Sequence, residues 1–521
     1  MATGRELRWP REIELKLALA PRDHRAVLDH PLVRERLEGR PRRRLLESRY
    51  FDTPERGLWA RGAAFRVRRI GHDFVQTVKL ADLPRGALAD RLEWSCPVED
   101  FAPRPDLLPA ELAERIGLGA DAVLEPLFET RFLRRTARLR WREAVGGLVE
   151  LELALDRGTI IAGERRERIS ELELELRRGS RRAAFALAEA LRATVPLRLS
   201  VADKAARGHA LAGWSPPPGR AVRPPLLPTM SAMAAFAGLL HAVLGHWLAS
   251  ETAVQRSEDG EAVHQLRVAL RRGVVAFALF RPLLPAAAHQ RWREAMKGVL
   301  GGLAELRELD VVHAELLATA EAPEEEGLGL LAERLARARL RARAAVRKML
   351  AAQAHGDLLL ELAAWLEREG WREEADTRLL LRQDLPVADH AARMLARTHK
   401  RLLRAGRDAG ALDTAGRHEL RLAAKRMRYA VDFFAPLYPE RKREPWSRRL
   451  RRLQDLLGED NDLASARHLF AKVIAAAPKR ERTALARAAG FVLGWHRHRL
   501  AALPHKLEKE VARLGALGRF W

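Results

Sequence analysis

The stretch Glu171-Leu172-Glu173-Leu174-Glu175-Leu176 alternates acidic and apolar side chains over six residues. Successive side chains of a β-strand point to opposite faces, so this pattern predicts a strand with carboxylates on one face and leucines on the other. Glu12-Ile13-Glu14-Leu15-Lys16 shows the same alternation near the start of the chain. Like charges on one strand face repel one another unless a cation lies among them. The pattern therefore predicts strands whose charged faces bind an ion.

The same period of two recurs from Arg11 to about Arg177, and glycine and proline residues separate its segments. About eight strands are predicted, in antiparallel order; besides the two above they lie at 45–51, 65–68, 74–80, 91–94, 132–141 and 150–153. In an ordinary sheet these charges would simply face water. We favour instead a closed eight-stranded barrel, because its inner face would gather the acidic and basic residues around an ionic ligand.

The composition narrows the function. The 521 residues include 93 Lys and Arg against 69 Asp and Glu, a formal net charge of +24, which predicts polyanionic partners such as nucleic acid, an acidic membrane or polyphosphate. A single cysteine, Cys96, excludes a disulfide framework and any Cys-based metal site. Residues 1–11 lack the apolar segment of a secretory signal. The apolar stretch 230–249 contains two histidines and predicts a buried helix, so we expect a cytoplasmic protein without a membrane partner.

A proline-rich segment, 213–228, predicts a semi-rigid linker between two domains. We predict a first domain at 1–212, a linker at 213–229 and a helical domain at 230–521. In the helical domain, His264-Gln-Leu-Arg-Val-Ala-Leu-Arg-Arg272 recurs as His418-Glu-Leu-Arg-Leu-Ala-Ala-Lys-Arg426, 154 residues later. The repeat predicts two pseudo-symmetric helical bundles, at about 230–375 and 385–521. The fold class is therefore α+β multidomain: an antiparallel barrel, then an all-α domain.

The repeated helical motif clusters basic groups. Residues three, four and seven apart share one helix face, which groups His264, Arg267 and Arg271 with Arg272 at the edge. His418, Arg421, Lys425 and Arg426 form the second copy. Neighbouring cations repel unless an anion lies between them, and the arginine guanidinium suits phosphate oxygens. The two faces predict a basic groove for a phosphate ligand, with a solvated basic face or a histidine metal site as the alternatives.

The strand half combines hard oxygen ligands with phosphate-binding cations. The carboxylates suited to Mg²⁺ or Mn²⁺ are Glu12, Glu14, Glu171, Glu173 and Glu175. The cations are Lys16, Arg66, Arg68, Lys79, Arg91 and Arg134. Together they predict a metal–phosphate site. The sequence has no phosphate-binding P-loop, no Gly-x-Ser-x-Gly elbow and no suitably placed cysteine nucleophile.

The first half resembles the CYTH domain of the triphosphate tunnel metalloenzymes. The matching motifs, in chain order, are Glu12-x-Glu14-x-Lys16, Tyr50-Phe51-Asp52-Thr53, Phe65-Arg66-Val67-Arg68, Gln76-Thr77-Val78-Lys79, Arg91-x-Glu93, Thr130-x-Phe132-x-Arg134, Glu150 to Gly158, Glu171 to Leu176, and Ser200-x-x-Asp203-Lys204-Ala-Ala-Arg207-Gly. The second half resembles the CHAD domain, a helical module associated with polyphosphate. Its motifs are 264–272, 307–311, 418–429 and 453–462. The domain order is similar to that of bacterial inorganic triphosphatases.

The resemblance implies an eight-stranded tunnel that hydrolyses inorganic triphosphate with Mg²⁺ or Mn²⁺. Glu12, Glu14, Glu171 and Glu173 would hold two metals, with Glu175 on the same face. The phosphate chain would contact Arg66, Arg68, Lys79, Arg91 and Arg134, with Lys204 and Arg207 closing one end. Lys16 would contact phosphate or the ligand carboxylates, and Glu93, Glu150, Glu152 and Asp156 would position water. Polyphosphate would bind the helical motif residues His264, Arg267, Arg271, Arg272, His418, Arg421, Lys425, Arg426 and Arg428.

Two positions depart from the family pattern: Ser95 replaces a common glutamate, and Glu308 replaces the first aspartate of an Arg-Asp-Leu-Asp motif. Other functions also remain open. The tunnel could act on a nucleoside or thiamine triphosphate, or the protein could be a non-catalytic polyphosphate-binding scaffold associated with polyphosphate granules. Specific nucleic-acid binding ranks last, because no nucleic-acid motif accompanies the charge. The sequence leaves the oligomeric state open.

Overall fold

The structure is a computed structural model that describes residues 11–81, 86–143, 147–214, 219–318 and 327–521. Residues 215–218 of the proline-rich segment and the N-terminal residues 1–10 lie outside the described part. The chain divides into two compact units. The first comprises Met1–Gly219, Leu244–Arg256 and Ala351–Gly370; the second comprises Arg220–Val243, Ser257–Leu350 and Trp371–Trp521.

Eight antiparallel strands close into a barrel in the first unit, as the alternating pattern predicts. The strands are β1 (Arg11–Ala18), β2 (Leu37–Asp52), β3 (Ala63–Ile70), β4 (Asp73–Ala81), β5 (Leu88–Val98), β6 (Glu125–Glu143), β7 (Gly147–Ala162) and β8 (Arg165–Arg178). The sheet order is β5-β4-β3-β2-β6-β7-β8-β1, and a further pairing of β1 with β5 closes it. A two-residue strand, β9 (Arg198–Leu199), pairs with the end of β1.

The apolar core of this unit lies outside the barrel, and the charged faces point inward. Leu15 and Leu172 are completely buried on the outer faces of their strands. Six helices accompany the strands: α1 (His24–Asp29), α2 (Pro31–Arg36), α3 (Gly57–Ala60), α4 (Ala110–Ile116), α5 (Arg181–Arg192) and α6 (Lys204–Leu211). One apolar cluster joins Phe65 and Val78 of the strands to Leu112 of α4. Burial of these apolar faces stabilises a barrel whose interior is free for polar groups.

Asp52 links a strand end to the helix that follows it. Its Oδ1 accepts hydrogen bonds from the backbone N–H groups of Thr53 (2.7 Å) and Leu58 (2.9 Å), and its Oδ2 accepts one from Trp59 (3.0 Å). Although burial opposes the charge, His209 and these backbone donors lower the pKa of Asp52. The Tyr50-to-Thr53 motif therefore has a structural role at Asp52, where it holds the β2–α3 connection.

The rest of the chain is helical. The helices are α7 (Ala232–Arg256), α8 (Gly260–Phe280), α9 (Ala286–Gly302), α10 (Ala304–Val311), α11 (Leu328–Ala351), α12 (Gln353–Glu367), α13 (Gly370–Glu373), α14 (Thr377–Gln383), α15 (Val387–Ala405), α16 (Thr414–Phe433), α17 (Glu440–Ala476), α18 (Lys479–Arg499) and α19 (Leu503–Gly515). By length and composition alone α7 could cross a membrane, and 67% of its most apolar window is buried in the structure.

The internal repeat appears as matching helices, α8 and α16. Each begins after an aspartate cap: Asp259 accepts from the Glu261 N–H, and Asp413, 154 residues later, accepts from the Gly416 N–H. Leu266 and Leu420 occupy equivalent buried positions in the two helices. The predicted pair of pseudo-symmetric helical bundles is confirmed at the level of this repeat.

Candidate functional site

A polar cavity of about 490 Å³ lies inside the barrel. Its lining consists of Arg11, Glu12, Glu14, Lys16, Tyr50, Ala64, Arg66, Arg68, Lys79, Arg91, Glu93, Ser95, Arg134, Glu152, Glu173, Glu175, Arg177, Asp203, Lys204 and Ala205. Residues directly opposite on antiparallel strands share one face. The register therefore brings charged side chains from different strands together in this cavity.

One part of the cavity concentrates carboxylates. Glu175 of β8 lies opposite Glu14 of β1 and also opposite Glu152 of β7. Arg177 is the cation beside them, with its guanidinium 2.8 Å from Glu175 and 3.5 Å from Glu152. Burial, together with the charges of Glu12, Glu152 and Glu14, raises the pKa of Glu175 to about 7 despite Arg177. These carboxylates therefore carry more negative charge than the protein itself neutralises.

Another part of the cavity gathers guanidinium groups. Arg134 pairs with Asp156 at 2.7 Å and also contacts Glu173, and Arg66 lies 3.6 Å from Glu93. Arg66, Arg68 and Arg134 line it, and burial with repulsion from Arg66 and Arg134 lowers the pKa of Arg68 to about 9. Arg68 donates from Nε to Ser48 Oγ at 3.0 Å and forms no ion pair within the described part of the chain. A buried guanidinium without a carboxylate partner is costly unless an anion binds it. This part of the cavity consequently suits an anionic ligand.

Three further carboxylates surround an ammonium group instead. Lys204 Nζ lies 2.6 Å from Asp156 and 3.0 Å from Glu173, and it also contacts Glu171. Oxygen atoms of these three acids lie within 4.8 Å of one another, a spacing that could hold a metal ion. Because Lys204 already supplies the positive charge, this cluster fits a metal less well than the carboxylates around Glu175.

Lys16 connects the acidic and basic parts. Its Nζ lies 3.2 Å from Glu14 and 3.0 Å from Glu173. Burial opposes the charge, yet Glu14 and Glu173 raise the pKa of Lys16 well above its usual value. Lys79 similarly contacts Glu12 and lies 3.2 Å from Glu93. Both lysines therefore hold carboxylates in place by ion pairs.

Most of the predicted tunnel residues line the cavity, but Glu150, Asp156, Glu171 and Arg207 lie elsewhere. Glu150, whose side chain is 39% exposed, lies 3.7 Å from Arg140 beside a register shift in the β7–β8 pairing. Glu171 is buried beneath Lys204, and Arg207 binds Glu171 at 3.0 Å and Glu167 at 2.7 Å. None of these four side chains lines the cavity. The roles given to them by resemblance remain predictions.

The cavity also contains four charged or polar side chains that the sequence reasoning did not assign a role: Arg11, Tyr50, Arg177 and Asp203. Asp203 contacts Arg91, and Arg91 and Lys16 lower its pKa despite burial. Two of these residues, Arg177 and Asp203, could have been found from the sequence. Arg177 continues the alternation of the β8 glutamates, and Asp203 directly precedes Lys204 in a quoted motif.

The acidic residues fit a divalent cation. Glu12, Glu14, Glu152 and Glu175 offer hard oxygen atoms of the kind that Mg²⁺ and Mn²⁺ prefer. Burial raises the pKa of Glu175, and the charges of Glu12, Glu152 and Glu14 raise it further, so a bound cation would stabilise its charged form. Of these four, Glu12, Glu14 and Glu175 belong to the predicted metal set. Glu171 of that set binds Lys204 and Arg207 instead.

In the second unit, the basic motif residues of the two repeats lie near one another. Burial and the charges of Arg271 and Arg421 lower the pKa of Lys425 to about 6. Burial and Arg307 lower the pKa of His264 as well. Arg267 donates to the Leu300 carbonyl oxygen at 2.9 Å. Such mutual repulsion is relieved when an anion binds. We call the cluster formed by these side chains the basic groove; its members are His264, Arg267, Arg271, Arg307, Arg421 and Lys425.

The acidic residues of the two motif copies also occupy equivalent positions of the repeat. The Glu308 charge acts on Arg267, and 154 residues later Asp462 lies 3.9 Å from Arg421. Glu308 replaces the aspartate that is usual at this position, so the carboxylate of this repeated pair is kept. His418 lines a cavity of about 680 Å³ together with Glu308 and Arg421.

The remaining residues predicted to bind polyphosphate, Arg272, Arg426 and Arg428, lie in other environments. Arg272 is buried, contacts Asp432 and stacks on Phe433 at 4.7 Å. Arg426 lines a separate cavity, and Arg428 lies over the Tyr429 ring at 5.1 Å. Arg272 and Arg426 therefore differ in environment although they occupy equivalent positions of the repeat.

Comparison with known proteins agrees with this architecture. The CYTH domain family model matches residues 10–209, and the CHAD domain family model matches residues 238–471. The first unit thus contains a tunnel domain of the CYTH class. The chain as a whole combines a CYTH domain with a CHAD domain, as the sequence motifs predict.

Individual relatives cover the two halves separately. The inorganic triphosphatase of Haemophilus influenzae is 29% identical over 206 residues, which is 38% of this chain and 54% of that protein. The chain therefore matches about half the length of this curated relative. The CHAD domain of Ricinus communis aligns over 58% of this chain and 98% of its own, with 28% identity and a TM-score of 0.50. A Hippeastrum protein described as having a dominant triphosphatase activity aligns over 38% of this chain and 95% of its own, with 21% identity and a TM-score of 0.29.

Proposed function

We propose that the barrel cavity hydrolyses inorganic triphosphate to diphosphate and phosphate with the help of Mg²⁺ or Mn²⁺. The observation that carries the proposal is the paired imbalance of charge inside one cavity. Glu175 lies opposite Glu14 and Glu152 with Arg177 as its cation partner, and Arg68 lies beside Arg66 and Arg134 with no carboxylate partner of its own among the described residues. A metal-bound phosphate chain supplies both missing charges at once.

The cationic residues would hold the phosphate chain. Arg66, Arg68 and Arg134 would bind its oxygens, because guanidinium groups donate paired hydrogen bonds to phosphate. Arg91 would keep its orientation through its ion pair with Asp203. Arg177 and Arg11 extend the cationic lining. The chain would thereby be positioned before any bond breaks, which is a major source of rate enhancement in phosphoryl transfer.

The carboxylates would serve the metal and the attacking water. Glu12, Glu14, Glu152 and Glu175 would hold the divalent cation, which when bound neutralises phosphate charge and acidifies water. Glu93 lies 3.6 Å from Arg66 and 3.2 Å from Lys79, so it borders the phosphate-binding side chains and would accept a hydrogen bond from water there. Ser95, hydrogen bonded to Thr77 at 3.0 Å, offers a hydroxyl where relatives carry a carboxylate.

An inorganic substrate is favoured over a nucleoside or thiamine triphosphate. Recognition of a base or thiazole ring needs an apolar or stacking surface. Tyr50 is the aromatic residue among the described lining residues, and its ring already stacks on Phe128 at 4.5 Å. The charged lining that remains matches phosphate groups. The curated relative named inorganic triphosphatase supports the same choice.

For the helical unit we propose polyphosphate binding in the basic groove. The support is the crowding of Arg271, Arg421 and Lys425, whose repulsion an anionic chain would relieve. Binding there would enrich substrate near the protein or associate it with polyphosphate granules in the cytoplasm. A scaffold without catalysis is the second candidate, supported by the replacement of a common glutamate by Ser95.

Orthophosphate release from tripolyphosphate tests the proposal. Wild type, Glu14→Gln and Glu129→Gln would be assayed with Mg²⁺, Mn²⁺ or EDTA. Glu14 lines the cavity, whereas Glu129 is exposed on the barrel, so the same chemical change there is the matched control. We expect metal-dependent release that falls at least about a hundredfold in Glu14→Gln only. Absence of release with either metal by the folded wild type would favour the scaffold.

A further inference from the structure

The strand that carries the acidic motif is irregular at Arg177. Glu150 of β7 pairs with Arg178 of β8, but the next residue, Leu151, pairs with Leu176, so Arg177 is an extra residue without a partner on β7. A β-bulge of this kind bends the strand and changes the direction of the side chain that it carries, and such bulges are frequent beside active sites. The bulge gives the place opposite Glu150 to Arg178 and leaves the Arg177 guanidinium in the lining of the barrel cavity.

From this position Arg177 contacts two of the carboxylates that we propose as metal ligands. Its Nη1 lies 2.8 Å from Glu175 Oε1, and its Nη2 lies 3.5 Å from Glu152 Oε2. Glu14, across from Glu175 on β1, has Lys16 at 3.2 Å instead. One guanidinium therefore occupies carboxylate oxygens that a divalent cation would need.

Arg177 also differs from the other cations of the cavity in its freedom to move. Its side chain is 54% exposed, whereas the side chains of Lys16 and Lys204 are 8% and 6% exposed. Exposed side chains change rotamer within nanoseconds, so Arg177 can exchange partners at little cost. A divalent cation on Glu175 would repel the guanidinium, and a phosphate chain in the same cavity would attract it.

We propose that Arg177 is an exchangeable counter-ion: it neutralises Glu175 and Glu152 in the metal-free protein and moves to the phosphate chain when a divalent cation binds these carboxylates. The inference rests on the metal–phosphate site proposed above and adds a substrate-binding residue that acts only after metal binding. Because coupling between two ligands is reciprocal, metal and phosphate each strengthen the binding of the other through Arg177.

Binding of Mn²⁺ without phosphate tests the first half of the exchange. Free Mn²⁺ would be measured by electron paramagnetic resonance with the full-length protein, and the barrel sites are those lost in Glu14→Gln. We expect Arg177→Gln to tighten this binding at least about threefold, because a competing cation is removed. Arg177→Lys keeps the charge and should stay within about twofold of wild type. Arg178→Gln, at the adjacent exposed arginine outside the cavity lining, is the matched control.

The partner of Arg177 can be tested in the same assay. In a Glu175→Gln background, removal of Arg177 should change Mn²⁺ binding little, because the main ion pair is already absent. Equal tightening in both backgrounds would mean that Arg177 acts only through its general charge and would overturn the exchange. Circular dichroism would verify that every variant is folded.

A non-hydrolysable imido analogue of tripolyphosphate tests the second half. It would be titrated calorimetrically with Mn²⁺ and, separately, in EDTA, and binding in the barrel is the class of sites weakened by Arg68→Met. We expect Arg177→Gln to weaken this binding at least about tenfold with Mn²⁺ and less than about twofold in EDTA. Equal weakening in both conditions would mean that the guanidinium binds phosphate without leaving Glu175, and unchanged binding in both would mean that it does not bind phosphate. Either result overturns the proposal.

These measurements do not need turnover, so the two proposals can fail separately. The expected shifts in a protein that releases no orthophosphate would support the exchange and contradict the hydrolase. Normal hydrolysis by the wild type, together with unchanged Mn²⁺ and analogue binding in Arg177→Gln, would contradict the exchange alone.

Discussion

Glu14 on β1 and Glu175 on β8 lie directly opposite each other in the antiparallel pairing of the two strands. Two carboxylates in this relation destabilise a sheet unless a cation separates them. Lys16 forms an ion pair with Glu14, and Arg177 forms one with Glu175. Even so, the pKa of Glu175 is raised to about 7, chiefly by burial. The barrel thus tolerates an unfavourable contact at the place where we propose that a metal binds.

Glu175→Gln should affect the stability of the barrel and its metal requirement differently. Removing one of two opposed charges should leave the free energy of unfolding in EDTA unchanged or raise it by up to about 1 kcal/mol. The metal concentration for half-maximal tripolyphosphate hydrolysis should rise at least about tenfold. Chemical denaturation and metal titration of activity measure these quantities, with Glu129→Gln as the control. An unchanged metal requirement would remove Glu175 from the proposed metal ligands.

Lys204→Met should destabilise the barrel. The ammonium group of Lys204, which is 5% exposed, is shared by Asp156, Glu171 and Glu173. Its loss leaves three buried carboxylates close together, which should reduce the free energy of unfolding by about 3–5 kcal/mol. The double variant Lys204→Met/Glu171→Gln should recover part of the loss. Urea denaturation provides the measurement, and no recovery would contradict the shared ion-pair account.

Arg68→Met should weaken substrate binding without destabilising the barrel, in contrast to Lys204→Met. Arg68 is half-buried and has no ion pair among the described residues, and desolvation with neighbouring cations lowers its pKa to about 9. Replacing it should therefore preserve the free energy of unfolding while raising the KM for tripolyphosphate at least about tenfold. Arg69→Met, at the adjacent exposed residue that contacts Glu47, is the control. A stability loss without a KM change would mean that Arg68 is structural.

Polyphosphate binding to the basic groove should take up a proton. Free Lys425 has a pKa lowered to about 6 by burial and by Arg271 and Arg421, whereas Asp462 opposes the shift. An anion stabilises the charged form, so affinity should fall as pH rises from 6 toward 8. Calorimetry at pH 7.5 in buffers of different ionisation enthalpy measures the proton. Lys425→Arg should bind without this uptake; equal uptake by Lys425→Arg would assign the proton to another group, such as His264.

The helical unit should lose stability in mild acid because of His390. This side chain is 2% exposed between Phe280 and Phe434, and burial with Arg393 nearby lowers its pKa to about 4. A folded-state pKa below the unfolded one means that the unfolded chain binds more protons between the two values. The contribution is therefore present above pH 6.5 and is lost as pH falls toward 4, by about 3 kcal/mol in all. Unfolding of His390→Gln should depend less on pH than that of wild type or of His505→Gln, at an exposed histidine.

Sequence reasoning succeeded where a local pattern dictates a face. The alternation in 171–176 and 12–16 predicted which side chains share a strand face, and Glu12, Glu14, Lys16, Glu173 and Glu175 do line one cavity. Apolar and polar side chains must separate at every strand, so the period survives any details of packing. The repeat at His264 and His418 likewise predicted the duplicated helices α8 and α16.

Local sequence does not predict contacts that depend on partners distant in the chain. Glu171 and Glu175 are equivalent in the alternating pattern, but Glu171 lies opposite Asp156 within reach of Lys204, whereas Glu175 lies opposite Glu14 and Glu152. Glu150 shares the pattern too, yet a register shift beside it places it away from the cavity lining. These differences come from strand register and from the docking of α6, which local sequence does not encode.

The sequence by itself determined the alternating strands, the duplicated helices and the mixture of charges that requires an ionic ligand, because these follow from periodicity and composition. Only the tertiary structure decided which charges are neutralised within the protein and which remain for a ligand. Glu171 has Lys204, and Arg272 has Asp432. Glu175, Arg68 and Arg426 are left without an equal counter-charge among the described neighbours, because each lies across from residues that only folding brings together.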